Sequence, residues 1–501
     1  MEKLSRRGFM KWGALATGAI AAAPALNAAT VESEKEIKWD AEFDVIVVGS
    51  GLSAHITSIV TAEGGLKTMM IEKMSRFGGN SIISQQDFAV MGSDIQTKNG
   101  IKDSVELYVK DLSAAGRGFN DVRHTRRIAE NSNRAYEFAR DRGVKYADKP
   151  KHLGGHSVAR SLQTIGGGGK AVQALHKHYL AQKGEVKKRV KAEEVIKDKA
   201  GRVIGLKVLE KYKFNKKAAS DDRENTTGKV KYYRAKKAVV FATGGYSRDA
   251  EFRTIQNPML ALIKTPSNLG ATAGALKSMM KIGATPVQLS LTRFSFGIPT
   301  EDLKYSMMVD SNTAERITNE DSNRQDLSNI ILSHMLQTNT KKYPVLIFDS
   351  TGFANSHDPH RMNKFLKKGK IKKFNTIKEL ADKFKLPADK LQAEVDAYNK
   401  AIAANKDAKF EKDFTKLNGA AAKKAPYYAI YASPGLSYTQ GGVQVTPNLE
   451  VLDIDSNKPI PGLYAVGEAT GGIHGFSRLT SCSIPDCMTS GIVAGESILK
   501  S

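Results

Sequence analysis

The chain has 501 residues, 41% of them hydrophobic and 26% charged, values ordinary for a soluble protein too large for one simple domain. Its two cysteines, Cys482 and Cys487, lie close together with no Cys-x-x-Cys-His haem attachment and no zinc or iron-sulfur spacing, so any haem in the reaction sits on another polypeptide and no metal site is expected. The cysteines are either two small buried side chains or a local disulfide. A formal charge of +24, with clusters at Lys187-Lys188-Arg189, 211–217 and 364–373, is either a solvated surface or a field that attracts anions. Those anions would be a carboxylate substrate or an acidic electron-transfer protein.

In chain order, Ser5-Arg6-Arg7-Gly8-Phe9-Met10-Lys11 precedes the apolar run Trp12 to Ala25 and the small residues Leu26-Asn27-Ala28-Ala29. This pattern over 1–29 is that of a cleaved twin-arginine export signal, which places the mature protein in the periplasm and hints at a cofactor acquired before export. A membrane anchor is the alternative, but the stretch is short and weakly apolar beside the roughly 20 residues a span needs. Nothing later is apolar for long enough, so no membrane span is expected after cleavage, and an exported chain meets no nucleic acid.

Phe43 to Val48 is a short β-branched run suited to a buried parallel strand. Gly49-Ser50-Gly51-Leu52-Ser53-Ala54 then opens a helix to Ala62, and a strand Thr68 to Ile71 ends on Glu72. In such a βαβ unit Gly49 makes the turn, Gly51 lets backbone amides approach a pyrophosphate, Ala54 allows close helix packing and Glu72 accepts from ribose hydroxyls. The unit predicts dinucleotide binding and leaves FAD or NAD open. Two further strands return to the same site, Val239 to Gly245 and Gly462 to Glu468, as a flavoprotein requires. Before the first of them, 207–234 predicts an exposed hairpin. Gly166 to Gly169 suit a close backbone approach to the cofactor, and the neighbouring His156 is expected to be structural. The pattern then changes: a strand near Pro344 to Asp349 and lysine-rich helices at 380–384 and 391–403 predict an inserted mixed α/β domain.

Val47-Val48-Gly49-Ser50-Gly51, Gly78-Gly79-Asn80-Ser81, Ala242-Thr243-Gly244-Gly245, Thr439-Gln440-Gly441-Gly442 and the run Gly467 to Gly475 together resemble the flavoprotein subunits of the fumarate reductase and succinate dehydrogenase family. The resemblance is nearest to the flavin part of the periplasmic flavocytochrome c fumarate reductases, and it runs from about Phe43 to the C-terminus. It implies an α/β fold: an FAD-linked Rossmann-type, glutathione-reductase-like domain in 40–287 and 438–501, with an inserted α+β clamp domain in 288–437 that presses substrate against the flavin. It implies FAD held by Gly49, Gly51, Ala54, Glu72 and Lys73, by Gly78, Gly79, Asn80 and Ser81, by Gly168, by Ala242, Thr243 and Gly244, and by Gly467, Glu468, Ser483 and Ile484.

The resemblance also implies a reaction. A hydride passes from FAD N5 to one alkene carbon of an α,β-unsaturated carboxylate, Arg324 protonates its neighbour, and Arg478 grips the carboxylate. An arginine can donate only with a relay behind it, and Glu301 or Asp321 are the candidates. The haem domain of the flavocytochromes has no counterpart, so a separate periplasmic cytochrome c is the expected electron donor. Departures concern the substrate's far end. The family's two carboxylate-binding histidines fall at Arg293 or Phe294 and at Ser437, its relay arginine near Leu303 or Lys304, an asparagine at Cys482 and a glycine pair at Gln85-Gln86. Arg293 is then either a second anion clamp for a dicarboxylate such as fumarate, or the substrate is a monocarboxylate such as an acrylate or an aryl enoate. Tyr438 is either a stacking partner for such a group or a buried structural ring. A flavin dehydrogenase feeding a cytochrome, and an inactive electron-transfer subunit, are the alternative functions.

Overall fold

A computed structural model describes residues 37–218 and 220–501; the expected export signal at 1–29 lies outside them. β1 (Ala41–Val48), β2 (Thr68–Glu72) and β5 (Glu185–Lys188) run parallel at one side of the main sheet, after the short pair β3 (Asp87–Ala89) and β4 (Ser161–Gln163). On the other side β1 pairs in parallel with β8 (Lys229–Phe241), whose N-terminal half continues the antiparallel ladder of β6 (Val190–Lys197) and β7 (Val203–Glu210). Val45, Ile46, Val47, Met69, Met70, Val239 and Val240 are wholly buried, because both faces of these strands are covered and no position can alternate outward. Helix α1 (Leu52–Glu63) lies on one face, and α2 (Gly167–Ala181) packs beside it.

The 207–234 hairpin forms, and its tip is largely exposed, but its base is not. Leu206 and Val208 are wholly buried and join Val195, Val203 and Tyr233 in the main core; only the tip beyond Glu210 leaves the ladder. The lysines of the run mask this burial, with Lys207 turned out to Glu194.

The insert has its own core. After β9 (Thr292–Ser295), strands β10 (Met307–Val309), β11 (Val345–Phe348), β12 (Lys372–Phe374) and β13 (Tyr427–Tyr431) form an antiparallel sheet in the order β10-β11-β13-β12. Helix α3 (Arg324–Gln337), α4 (Ile377–Phe384) and α5 (Ala388–Ala403) place Leu327, Ile331, Leu380, Leu391 and Val395 in that core. The predicted helices at 380–384 and 391–403 are the C-terminal parts of α4 and α5. β14 (Gly435–Thr439) pairs with β9, setting Arg293 opposite Tyr438, and the chain then returns to the main sheet through β15 (Glu450–Leu452) and β16 (Pro459–Ala465), the latter parallel to β8. The closing helix α6 (Ser483–Lys500) lies against α1. The fold is thus α/β, a Rossmann-type nucleotide domain with an α+β insert.

Under the insert's sheet is a closed ionic group. Glu320 accepts from Arg316 and from Lys412 at 2.9 Å, and Arg316 also donates to Asp407 at 2.9 Å, with all four side chains essentially out of solvent. Two cations face two anions, and Lys412 and Arg316 outweigh burial to hold the Glu320 carboxyl below its usual range. Breaking such a group strands a charge. Glu320→Gln is therefore expected to cost about 3–5 kcal/mol, read as a lower urea midpoint for the holoprotein; an unchanged midpoint would show that the group is already relaxed by solvent.

Candidate active site

The nucleotide end is built where β1 stops. Gly49 has φ +105°, and a Cβ there would lie 2.5 Å from the Ala242 carbonyl oxygen at the end of β8, so strand and turn can approach only through glycine. Ser50 Oγ donates to Glu72 Oε2 and accepts from the Gly78 amide at 2.9 Å, tying the first turn to the end of β2. Burial pushes the Glu72 carboxyl up. Ser81 Oγ accepts from the Leu52 amide at the head of α1, 2.9 Å away.

These contacts border a cleft of about 960 Å³ lined by Gly49, Gly51, Glu72 and Lys73, by Gly79, Asn80 and Ser81, and by Ala242, Thr243, Gly244 and Glu468. The other expected cofactor residues stand off its wall. Ala54 is buried under the sheet, Gly78 serves the Ser50 bridge, Gly467 donates its amide to Ser490 Oγ, and Ser483 and Ile484 open α6. Gly168 is needed for packing, since a Cβ there would run into the Ser81 carbonyl.

Four lining residues were not legible in the sequence: Lys191, Asn268, Thr272 and Asp222. Asp222 comes from the hairpin tip, in a charged run that carries no motif. Its Oδ1 is buried without a hydrogen-bond partner, although Lys73 and Lys191 approach within 4 Å. Both amide atoms of Gln440 are likewise buried and unpartnered. A long cleft starting at a helix N-terminus, with an acid at the end of the second strand and an orphaned buried acceptor, fits a dinucleotide. Near its far end Glu468 Oε1 accepts from the Thr439 amide and hydroxyl at 3.0 and 3.1 Å, and burial pushes this carboxyl up to about 7. Cys487 also lines the cleft, and Cys482 sits 3.3 Å from the Tyr108 hydroxyl; both thiols are free, so they are not a disulfide.

A second cleft, about 1220 Å³, opens between the nucleotide domain and the insert. Arg478, Leu479, Thr480 and Gly155 line one side; Glu301, Lys304, Asp321, Arg324 and His357 line the other. Arg324 is the first residue of α3, whose cap Asn323 accepts from the Gln325 and Asp326 amides. A cation at a helix N-terminus faces the positive end of the dipole. Burial, then Arg478, bring Arg324 down to about 10 against the pull of Glu301. Arg478 spends one donor on the Leu479 carbonyl, at 2.8 Å, and leaves Nε buried and unpaired, its guanidinium 5.1 Å from the Tyr438 ring. Among the described residues neither Arg324 nor Arg478 has an ion-pair partner. Asp321 is held by Lys416 at 3.0 Å, which leaves Glu301 as the carboxylate free to serve Arg324.

Arg293 lies behind this cleft rather than in its wall. Its Nε donates to the Arg478 carbonyl at 3.0 Å and Nη2 reaches Thr480 Oγ1 at 3.4 Å, while Ser437 Oγ donates to the Arg293 carbonyl. Burial, with Arg478 and Arg324 nearby, holds Arg293 well below its usual range. His156 braces the same loop: Nδ1 faces Arg160 and Nε2 is 2.7 Å from the Thr480 carbonyl, and burial brings the ring down to about 4, so it is the neutral Nε2–H donor. Arg160 is in turn held by Asp103 and Asp111.

A family model described as FAD binding domain matches residues 44–484. The acrylate reductase flavoprotein subunit of Shewanella woodyi is 35% identical over 515 residues, covering 100% of this chain and 99% of that protein. The urocanate reductase of Eggerthella lenta is 30% identical, covering 91% of this chain and 74% of that one. Among solved structures, the open conformation of a flavocytochrome c3 fumarate reductase superposes with a TM-score of 0.78 at 26% identity, over 92% of this chain and 79% of that chain.

Because Glu468 has a raised carboxyl in the folded state, the native protein binds more protons than the unfolded one between about pH 4.5 and 7. Stability of the cofactor-free protein should therefore fall as pH rises through that window and level off above it. In Glu468→Gln this component is expected to vanish from the melting temperature plotted against pH; an identical slope in both proteins would place the titration elsewhere.

Proposed function

Since the chain belongs to the FAD binding domain family, we propose that this FAD-dependent oxidoreductase of CH–CH groups is a periplasmic reductase of the double bond of an α,β-unsaturated monocarboxylate, fed by a separate cytochrome c. The observation that carries the reading is the pair Arg324 and Arg478, facing one cleft from two domains without counter-ions. When bound, FAD supplies the hydride for the alkene.

The protein's own groups would do the rest. The free edge of Arg478 offers two parallel donors to a carboxylate, and drawing charge onto that carboxylate makes the far alkene carbon electron-poor. Arg324 would protonate the carbon next to the carboxylate. Its position at the helix start and its lowered pKa make it a better acid than a free guanidinium. Glu301, open to solvent in the same cleft, would return the proton to Arg324.

The monocarboxylate follows from the positions where a second carboxylate would need a clamp. Arg293 is turned onto backbone, and Ser437 is used up on the Arg293 carbonyl. The buried ring of Tyr438 stands there instead. Similarity along its whole length to a protein named for acrylate reduction supports the same choice. The basic surface and the leader at 1–29 support the donor and the compartment.

The test is anaerobic oxidation of dithionite-reduced methyl viologen by purified holoprotein with fumarate, acrylate, methacrylate, urocanate and cinnamate. Turnover is expected with the small monocarboxylates and little with fumarate. Arg324→Ala should lose about 10²–10⁴-fold in kcat, and Arg478→Ala should chiefly raise KM. Because Arg324 must be protonated, kcat should fall as pH rises through about 10. Silence with all five acids from FAD-loaded protein would sink the reading.

A further inference from the structure

The proposed reaction returns the cofactor oxidised, and in that reading the electrons that reduce it again come from a separate protein. We propose that the partner docks on the exposed patch around Ile83 and Ile165, and that it is an acidic electron-transfer protein presenting the edge of its redox group. This deepens the function proposed above and rests on it.

The first argument is position. The segment 81–89 begins on the cofactor cleft, which Ser81 lines, and ends against the substrate loop, where the Ala89 amide donates to the Ser481 carbonyl. It therefore runs from the cofactor cleft to the loop that carries Arg478. Residues 164–168 are laid on it through Thr164 N to Gln86 O at 3.2 Å and Gly168 N to Ser84 O at 3.0 Å. The short turn Ser81–Ile83 contains no buried residue. Ser81 on the cleft and exposed Ile83 are thus two residues apart.

The second argument is chemistry. Ile83 is 57% exposed and Ile165 55%, two large apolar side chains on strips of backbone bonded to each other. Exposed Lys145, whose carbonyl accepts from Ile165 N, and exposed Lys170, which packs on Gly166, stand beside them without an ion-pair partner among the described residues. Gln85 completes a neutral margin. An apolar centre with unpaired cations at its rim suits a small, wet, transient interface with an acidic partner. Long-range attraction by the +24 chain would speed the encounter. Another exposed apolar pair, Phe119 and Val122, lies beside the Arg117–Asp326 and Arg123–Asp121 ion pairs, so its charges are already matched.

The bookkeeping is simple. Each substrate molecule takes up two electrons and two protons, so two encounters with a one-electron donor restore the enzyme, solvent supplying the protons and each donor centre losing one electron.

The experiment compares wild-type holoprotein, Ile83→Glu/Ile165→Glu, Lys145→Glu/Lys170→Glu and the control Phe119→Glu. With reduced methyl viologen and acrylate all four should agree within about twofold, since a small dye needs no docking face. With a reduced c-type cytochrome of acidic isoelectric point, the isoleucine variant should lose at least tenfold in turnover. Its affinity for the immobilised cytochrome, read by surface plasmon resonance without turnover, should fall similarly. The lysine variant should bind more slowly and lose its salt dependence. Unchanged binding and turnover in the isoleucine variant, an effect of Phe119→Glu instead, or no cytochrome binding by wild type would each overturn the proposal. Failure with methyl viologen would defeat the proposed reaction, while the binding measurement still decides the face.

Discussion

The structure is organised around a concentration of positive charge that it does not neutralise. Arg478 stands close enough to Arg293 and to Arg324 to add to the burial that lowers the proton affinity of both, and Glu301 pulls the other way on Arg324. Like charges out of water are unstable companions. They stay together because each is fixed by something other than an anion: Arg324 by the start of a capped helix, Arg478 by a backbone carbonyl, Arg293 by the same loop. A carboxylate substrate relieves the conflict, so binding and folding pull against each other at this point.

The rest of the insert shows the contrast. Arg316, Glu320, Asp407 and Lys412 balance charge for charge, and that group is closed to chemistry. Four residues along the chain from Glu320, Arg324 is left open. Rigidity comes from the balanced group and from the ladder of β9 with β14; on the nucleotide side His156, Arg160, Asp103 and Asp111 perform the same service for the loop bearing Arg478. The nucleotide side and the insert thus bring one arginine each to the same cleft.

Much of this was legible in the sequence because it rests on local rules. The βαβ unit, the returning strands and the lysine-rich helices follow from periodicity and from glycines at fixed spacing. The two cleft arginines lay inside motifs. What escaped depends on tertiary contacts. The 207–234 hairpin looked exposed because its many lysines hide the buried residues of its base, and Asp222 reaches the cofactor cleft only through a hairpin tip whose sequence resembles any charged loop. Arg293 could be placed near the site from its surroundings, but the direction of its guanidinium was decided by Arg478 and Thr480, nearly two hundred residues away.

The pairing of β16 with β8 carries a consequence for the order of events in the cell. The main sheet takes β1, β2 and β8 from the first half of the chain and β16 from close to its end, and the cofactor cleft needs Glu468 and Cys487 from that same late stretch. A growing chain therefore exposes the edge of β8 at 239–241 throughout synthesis of the insert. The cleft is complete only once the stretch carrying β16, Glu468 and Cys487 has been added to the chain.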